Sequence, residues 1–136
     1  IDCAPSLSML TLNALVAADG VIIPMQCEYY ALEGLADLTN TIERMTAKLN
    51  PNLKIRGIVR TMYDARNTLT VDVSNELTKH FGDKVFTTVI PRNIRLAEAP
   101  AHGVPVMYYD KGSRGAYAYL SLAAELIKKD KKRKSV

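Results

Sequence analysis

LKIRGIVRTMYDARNTLTVDVSNELTKHFGDKVFTTVI, residues 53–90, holds the pattern on which the fold turns. Leu53 to Val59 is rich in Ile and Val, the composition of a strand. Leu69, Val73, Leu77 and Phe81 then recur at helical spacing and stop at Gly82, and Val85 to Ile90 is apolar again until Pro91 ends it. A strand, a helix and a second strand in this order make a crossover unit, which joins parallel neighbours. Upstream, Leu35, Leu38, Ile42, Met45 and Leu49 alternate by three and four until Asn50-Pro51, predicting a helix of about four turns. Val21-Ile22-Ile23-Pro24-Met25 before it is a short continuous apolar run, the pattern of a strand covered on both faces. A further helix from Ser6 is expected from Leu7, Leu10, Ala14 and Ala18, with Leu15 beside them, stopping near Asp19-Gly20.

At the start, Ile1-Asp2 running into Cys3-Ala4-Pro5-Ser6 reads as the last step of a buried strand entering a loop. At the other end a loop from Arg92 to Pro100 leads to an expected last strand at Val106 to Tyr109. The final helix is then expected to face inward through Ala116, Tyr119, Leu120, Ala123 and Ile127. The fold class is therefore α/β, a mostly parallel sheet with helices on both faces. Ligands of such sheets sit at the carboxyl ends of the strands, so the loops of interest begin at Asp2, Pro24, Thr61 and Pro91.

The 136 residues suit one domain, and 48% hydrophobic with 24% charged content is enough to bury a core. No apolar run approaches the roughly 18 residues of a membrane span, and the start lacks the features of a signal peptide, so a soluble intracellular protein is expected. Cys3 and Cys27 are too few for a disulfide scaffold and lack the partners of a zinc site; both are expected to be plain buried or half-buried thiols. The net charge of +4 is local. Lys128, Lys129, Lys131, Lys132, Arg133 and Lys134, offset only by Asp130, carry +5, which leaves the remainder at −1. The chain accordingly divides into a body, 1–127, and a basic tail, 128–136, of the kind that is usually a solvated, frayed end.

Taken singly, the polar residues of these loops have ordinary structural roles. An Asp such as Asp2 closes strands and caps turns, Gln26 and Glu28 suit a polar loop, and Arg66 and Arg95 suit solvated charges. His80 and His102 fit a helix surface and a loop. As a set they say more. Asp2-Cys3-Ala4-Pro5-Ser6-Leu7, Gln26-Cys27-Glu28-Tyr29-Tyr30-Ala31-Leu32-Glu33-Gly34, Thr61-Met62-Tyr63-Asp64-Ala65-Arg66 and Ile90-Pro91-Arg92-Asn93-Ile94-Arg95-Leu96-Ala97-Glu98-Ala99-Pro100 closely resemble, in order and spacing, the ParA/Soj-type partitioning ATPases of chromosomes and plasmids. These are deviant Walker P-loop proteins related to MinD. Ala4 stands where the family often has proline, and Ala97 where it often has serine; neither change removes a functional side chain.

The resemblance implies the C-terminal part of a P-loop NTPase domain, beginning at its Walker B strand. It implies a homodimer with ATP sandwiched between subunits, binding to non-specific DNA, and hydrolysis stimulated by a centromere-binding ParB-like partner. A cytoplasmic, nucleoid-associated setting follows from the same likeness. Asp2 would match the Walker B acid that holds Mg2+ through water. Thr61, Met62, Pro91 and Asn93 would fall in loops around the adenine, Gln26 and Glu28 in the dimer-facing region, and Arg66 and Arg95 would contact the DNA backbone from loops on one carboxyl edge. No Gly-x-x-x-x-Gly-Lys-Ser/Thr occurs in the sequence, so a truncated chain is expected that neither binds nucleotide nor turns it over alone. Exposed strand edges and helix faces should make such a piece prone to self-association. Two other readings remain. One is a MinD-like, membrane-associated spatial regulator, disfavoured if Leu120, Ala123 and Ile127 cover the sheet; the other is a non-enzymatic interaction module.

Overall fold

The computed structural model describes residues 1–4 and 8–134. Pro5, Ser6 and Leu7, where the first helix was expected to begin, lie outside the described residues, as do Ser135 and Val136. The elements run α1 (Met9–Ala17), β1 (Gly20–Gln26), α2 (Tyr29–Lys48), β2 (Lys54–Tyr63), α3 (Thr68–Phe81), β3 (Val85–Pro91), α4 (Ile94–Glu98), α5 (Val106–Tyr109) and α6 (Arg114–Lys134). The three strands form one parallel sheet in the order β1-β2-β3.

One face of the sheet carries the larger core. Leu15 from α1, Leu35, Ile42 and Met45 from α2, and Val73 and Leu77 from α3 pack there on Ile23, Met25, Ile58 and Val85. The helix-spaced residues of the sequence supply most of it, although Leu38 and Leu49 stay exposed. α3 ends as expected at Gly82, whose positive φ of 52° suits glycine and whose N–H bonds to the Thr78 carbonyl. Asn50 does more than end α2. Its amide nitrogen donates to the carbonyls of Leu15 (3.0 Å), Val16 (3.0 Å) and Ala18 (2.8 Å), supplying partners to the end of α1.

The opposite face is covered by α6 over β2 and β3, with Val59, Phe86 and Ile90 packed against Leu96, Ala118, Leu122 and Leu126. Gly57 makes this possible, since a Cβ there would stand 2.3 Å from the fully buried Phe86 ring. The register slips between Val21 and Ile22, which makes Arg56 an extra residue of β2. Its side chain reaches α6 and bonds Asp130 at 2.6 Å. A second slip between Ile58 and Arg60 leaves the middle of β3 out of step with β2. Side chains serve the backbone there. Arg60 donates to the carbonyls of Phe86 (2.8 Å) and Thr87 (3.0 Å), and to the Ser74 hydroxyl (2.8 Å). Glu125 of α6 accepts the amides of Thr87 (2.8 Å) and Thr88 (2.9 Å) and the Thr88 hydroxyl (2.7 Å).

Several expectations are corrected here. β1 is covered on one face only: α6 does not extend over it, so Ile22 and Pro24 are exposed. Val106 to Tyr109 is a helical turn, because Pro105 caps it and the run is too short for apolar pattern to separate strand from helix. α6 faces inward through Ala116, Ala118, Leu122 and Leu126, whereas Tyr119, Leu120, Ala123 and Ile127 are exposed. Two stripes of the helix satisfy the three-four spacing, and the close approach of Gly115 to Leu96 selects one of them. The 127/128 boundary falls inside this helix. Lys129 donates to the Asp83 carbonyl at 2.8 Å and lies 4.5 Å from the centre of the Phe86 ring, so this part of the tail is docked rather than frayed. Cys27 is buried as expected, but Cys3 is exposed.

Burial works against the charge of Glu125, yet the Thr88 and Thr87 amides, the Thr88 hydroxyl and Lys129 together outweigh it and hold its carboxyl below the ordinary glutamate value. A lowered native value stabilises the fold above the unfolded glutamate pKa of about 4.3 and loses that stabilisation as pH falls through the native value. Glu125→Gln should cost about 1–3 kcal/mol at neutral pH, because one oxygen that served a β3 amide becomes an NH2. Thermal melts from pH 7 to pH 3 should show the variant and the parent converging at acid pH; equal stability at pH 7 contradicts this account.

Candidate functional site

The carboxyl ends of the strands form one row, with Gln26 opposite Thr61 and Tyr63 opposite Pro91. Past them the chain makes three turns on the same edge. Glu28 opens α2 without a side-chain cap bond, Asp64 to Asn67 turn into α3 with Asn67 capping Leu69 N–H at 3.0 Å, and Asn93 caps α4 by accepting the Arg95 N–H at 2.9 Å. Between them lies a cleft of about 260 Å³ lined by Gln26, Cys27, Glu28, Met62, Asp64, Asn67, Leu69, Thr70 and Arg92. Its lining combines two carboxylates, one guanidinium, two side-chain amides and a hydroxyl, a set suited to the edge of a polar ring or to an oxyanion. Cys27 adds no nucleophile, since burial pushes its thiol up and the Arg60 charge only partly opposes that.

Thr61 and Met62 belong to β2 rather than to a loop, because the strand continues to Tyr63, and Pro91 is the last residue of β3. Met62 has a positive φ of 53° where the register shifts again between Arg60 and Tyr63, a costly backbone for a side chain with a Cβ. Thr61, Pro91 and Asn93 flank the cleft in sequence without lining it. The Asn93 amide oxygen is committed to its cap.

Arg66 sits in the turn after β2 and Arg95 in α4, not in a loop, since the Asn93 cap starts the helix just before it. Both are in ion pairs. Arg66 grips Asp64 through two hydrogen bonds (Nε 2.9 Å, Nη2 2.8 Å) while its side chain remains 90% exposed. Arg95 bonds Glu98 (Nη1, 2.8 Å) and meets Asp110 (Nε, 3.3 Å). These pairs hold the Asp64 carboxyl well below the usual range, chiefly through the Arg66 hydrogen bonds, and Arg95 lowers that of Glu98, helped by Tyr109 and His102. His102 stacks on Tyr109 at 4.8 Å, and His80 lies on the outside of α3.

Asp2 stands apart. It lies outside the sheet, with Ile1 92% exposed, because two residues offer too few ladder bonds to order a strand. It lines a separate groove with Ser8, Thr11 and Asn13, which shares no residue with the cleft. No cluster of three or more His, Cys, Asp or Glu suited to a metal occurs among the described residues. Asp64, Asn67, Thr70 and Arg92 escaped the sequence reading as site residues, although Asp-x-x-Asn before an apolar helix is a turn-and-cap signature that could have flagged two of them.

The architecture is that of the MinD- and ParA-like P-loop NTPases. The cell division ATPase MinD of Pyrococcus furiosus matches with a TM-score of 0.74 over 94% of this chain and 50% of its own, at 22% identity, which speaks for the fold alone. A Mycobacterium smegmatis structure described as cobyrinic acid a,c-diamide synthase with bound ADP and magnesium matches at TM-score 0.74 and 36% identity, over 96% of this chain and 46% of its own. An AAA domain family model matches residues 1–55. The chromosome partitioning protein ParA of Caulobacter vibrioides is 53% identical over 135 residues, 99% of this chain and 51% of its own length. The chromosome-partitioning ATPase Soj of Thermus thermophilus is 55% identical over 127 residues, 93% and 51% respectively. Over nearly its whole length the chain is similar to chromosome partitioning proteins of the ParA/Soj type, and it spans about half the length of the curated relatives it matches.

Replacing Met62 tests whether its backbone is under strain. Met62→Gly should stay within about 1 kcal/mol of the parent, while Met62→Val, branched at Cβ, should lose about 1–3 kcal/mol. Urea denaturation compares the two, and equal stability for valine and glycine would show that the positive φ costs nothing.

Proposed function

We propose that this chain forms the C-terminal half of a DNA-partitioning ATPase whose intact form binds ATP and Mg2+ as a sandwich dimer, binds DNA without sequence preference, and hydrolyses ATP when a centromere-binding ParB-like partner stimulates it. The observation that carries the reading is the gathering, on the carboxyl edge of one parallel sheet, of Gln26 and Glu28, of Met62, and of Arg66, Arg92 and Arg95. In this reading the cleft beside Met62 takes the polar edge of the nucleotide, with Thr61, Pro91 and Asn93 around it, and Gln26 and Glu28 face the second subunit. The one carboxylate of Asp2, with the Ser8 and Thr11 hydroxyls near it, suits a magnesium ion held through its water shell. Bound there, the ion would neutralise charge on the nucleotide phosphates. Chromosome or plasmid DNA are both compatible cargoes, and the setting is the cytoplasm, at the nucleoid.

One observation favours a second reading. The exposed residues Tyr117, Leu120 and Ile127 lie on α6 just ahead of Lys128 and Lys131, an arrangement that also suits an anionic lipid surface in the manner of a MinD-like regulator. Among the described residues no helix is long and apolar enough to cross a membrane.

The DNA reading predicts that, in the intact ATP-bound protein, Arg66→Ala and Arg95→Ala weaken binding to unrelated duplexes by similar factors, because phosphates look alike in every sequence. Each lost contact should also flatten the dependence of log affinity on log salt by about 0.9, doubled in a symmetric dimer. Turnover without DNA or partner should not change, whereas Asp2→Ala should reduce it. If deletion of residues 128–136 abolishes binding while both arginine variants keep affinity and salt slope, the tail is the DNA device. Binding to anionic liposomes but not to duplexes would favour the second reading.

A further inference from the structure

Asp64 spends three hydrogen bonds on one residue two positions away. Its Oδ1 accepts the Arg66 backbone N–H (3.1 Å) and Nε–H (2.9 Å), and its Oδ2 accepts from Nη2 (2.8 Å). A guanidinium offers two edges that fit an oxyanion in bidentate fashion, the Nε–Nη2 side and the Nη1–Nη2 end. Asp64 occupies the first. The second is turned outward, since the Arg66 side chain is 90% exposed although it is tied down. Arg95 is held differently, through Nη1 by Glu98 and near Nε by Asp110, so each of its edges is already engaged by a carboxylate.

We propose that Asp64 is a positioning residue that holds the Arg66 guanidinium by its Nε–Nη2 edge, so that the Nη1–Nη2 edge meets a duplex phosphate already oriented. The inference rests on the reading of Arg66 as a phosphate contact. A long side chain that is ordered before binding loses less freedom when the phosphate arrives. The cost is one negative charge beside a polyanion, and the two effects have opposite signs. By charge alone, removing Asp64 should tighten DNA binding; by positioning, it should weaken it.

The experiment is a double-mutant cycle on the intact, ATP-bound protein, with fluorescence anisotropy of two unrelated duplexes. Asp64→Asn should weaken binding about two- to tenfold, the scale of one newly unordered side chain, even though the net charge rises by one. Asp64→Ser keeps an acceptor for the Arg66 N–H and cannot grip the guanidinium, and it should give the same sign. In an Arg66→Ala background neither change should weaken binding further. Melting midpoints confirm that each variant is folded. Unchanged or tighter binding by Asp64→Asn, with Arg66→Ala weakened, overturns the positioning role and leaves the DNA reading of Arg66 standing. Equal weakening by Asp64→Asn with and without Arg66 also overturns it, because the effect would then run through the turn. If Arg66→Ala itself changes nothing, the DNA reading of Arg66 falls and this inference falls with it.

Discussion

Four backbone groups in the middle of β3 have to be satisfied outside the regular ladder, and the arrangement of the C-terminal half follows from how this is done. Where β3 runs out of step with β2, Arg60 serves the carbonyls of Phe86 and Thr87, and Glu125 serves the amides of Thr87 and Thr88. Glu125 sits on α6, so the same bonds seat that helix on the sheet. With α6 placed, the Phe86 ring lies closed between Gly57, Leu122 and Leu126, and the Arg56–Asp130 pair fixes the helix farther along. β3 then ends at Pro91 beside Tyr63, and the Arg92 amide continues to the Tyr63 carbonyl at 3.1 Å. The position of Arg92 and of α4 is therefore inherited from bonds made several residues earlier.

β2 is the strand whose irregularities set the site. It carries an extra residue at Arg56, slips again before Arg60, and slips a third time at the positive φ of Met62. Each slip moves side chains to a different face, the general consequence of a bulge. The last one lies at the positive φ of Met62, directly before the turn that carries Asp64 and Arg66. The edge that results is not a field of free positive charge. Arg66 and Arg95 are each matched to carboxylates, so any anion binding there depends on geometry and on what the pairs leave uncovered, more than on net charge.

Much of this was legible in the residues. The crossover from Leu53 to Ile90 and the three-four alternation of α2 and α3 announce a parallel sheet, because apolar spacing is imposed by burial on one face. Where two readings satisfied the same spacing, the sequence was silent: α6 presents two apolar stripes, and only the fit of Gly115 and Ala118 against the layer beneath chooses between them. Short runs mislead for a related reason, as at Val106–Tyr109, where four residues cannot declare a period. For the site, the motifs located the right edge but not the roles within it. Arg66 and Arg95 were visible as cations, while their partners Asp64, Glu98 and Asp110 depend on backbone turns that bring them within reach. Asp2 was legible as a motif residue and lies outside the sheet in this chain.

Asn50 carries a consequence for time rather than for shape. The carbonyls at the end of α1 are held by a side chain 32 to 35 positions later in the sequence. Neither α1 nor the loop that leads from it into β1 can complete its bonding until α2 has formed and its far end has swung back, a closure whose entropy is met only once. The reverse order follows on opening. Release of Asn50 exposes three carbonyls together, so the end of α1 and the α2–β2 connection should exchange their amide protons as one unit, with a common rate, while the β2–β3 pair beneath α6 stays protected.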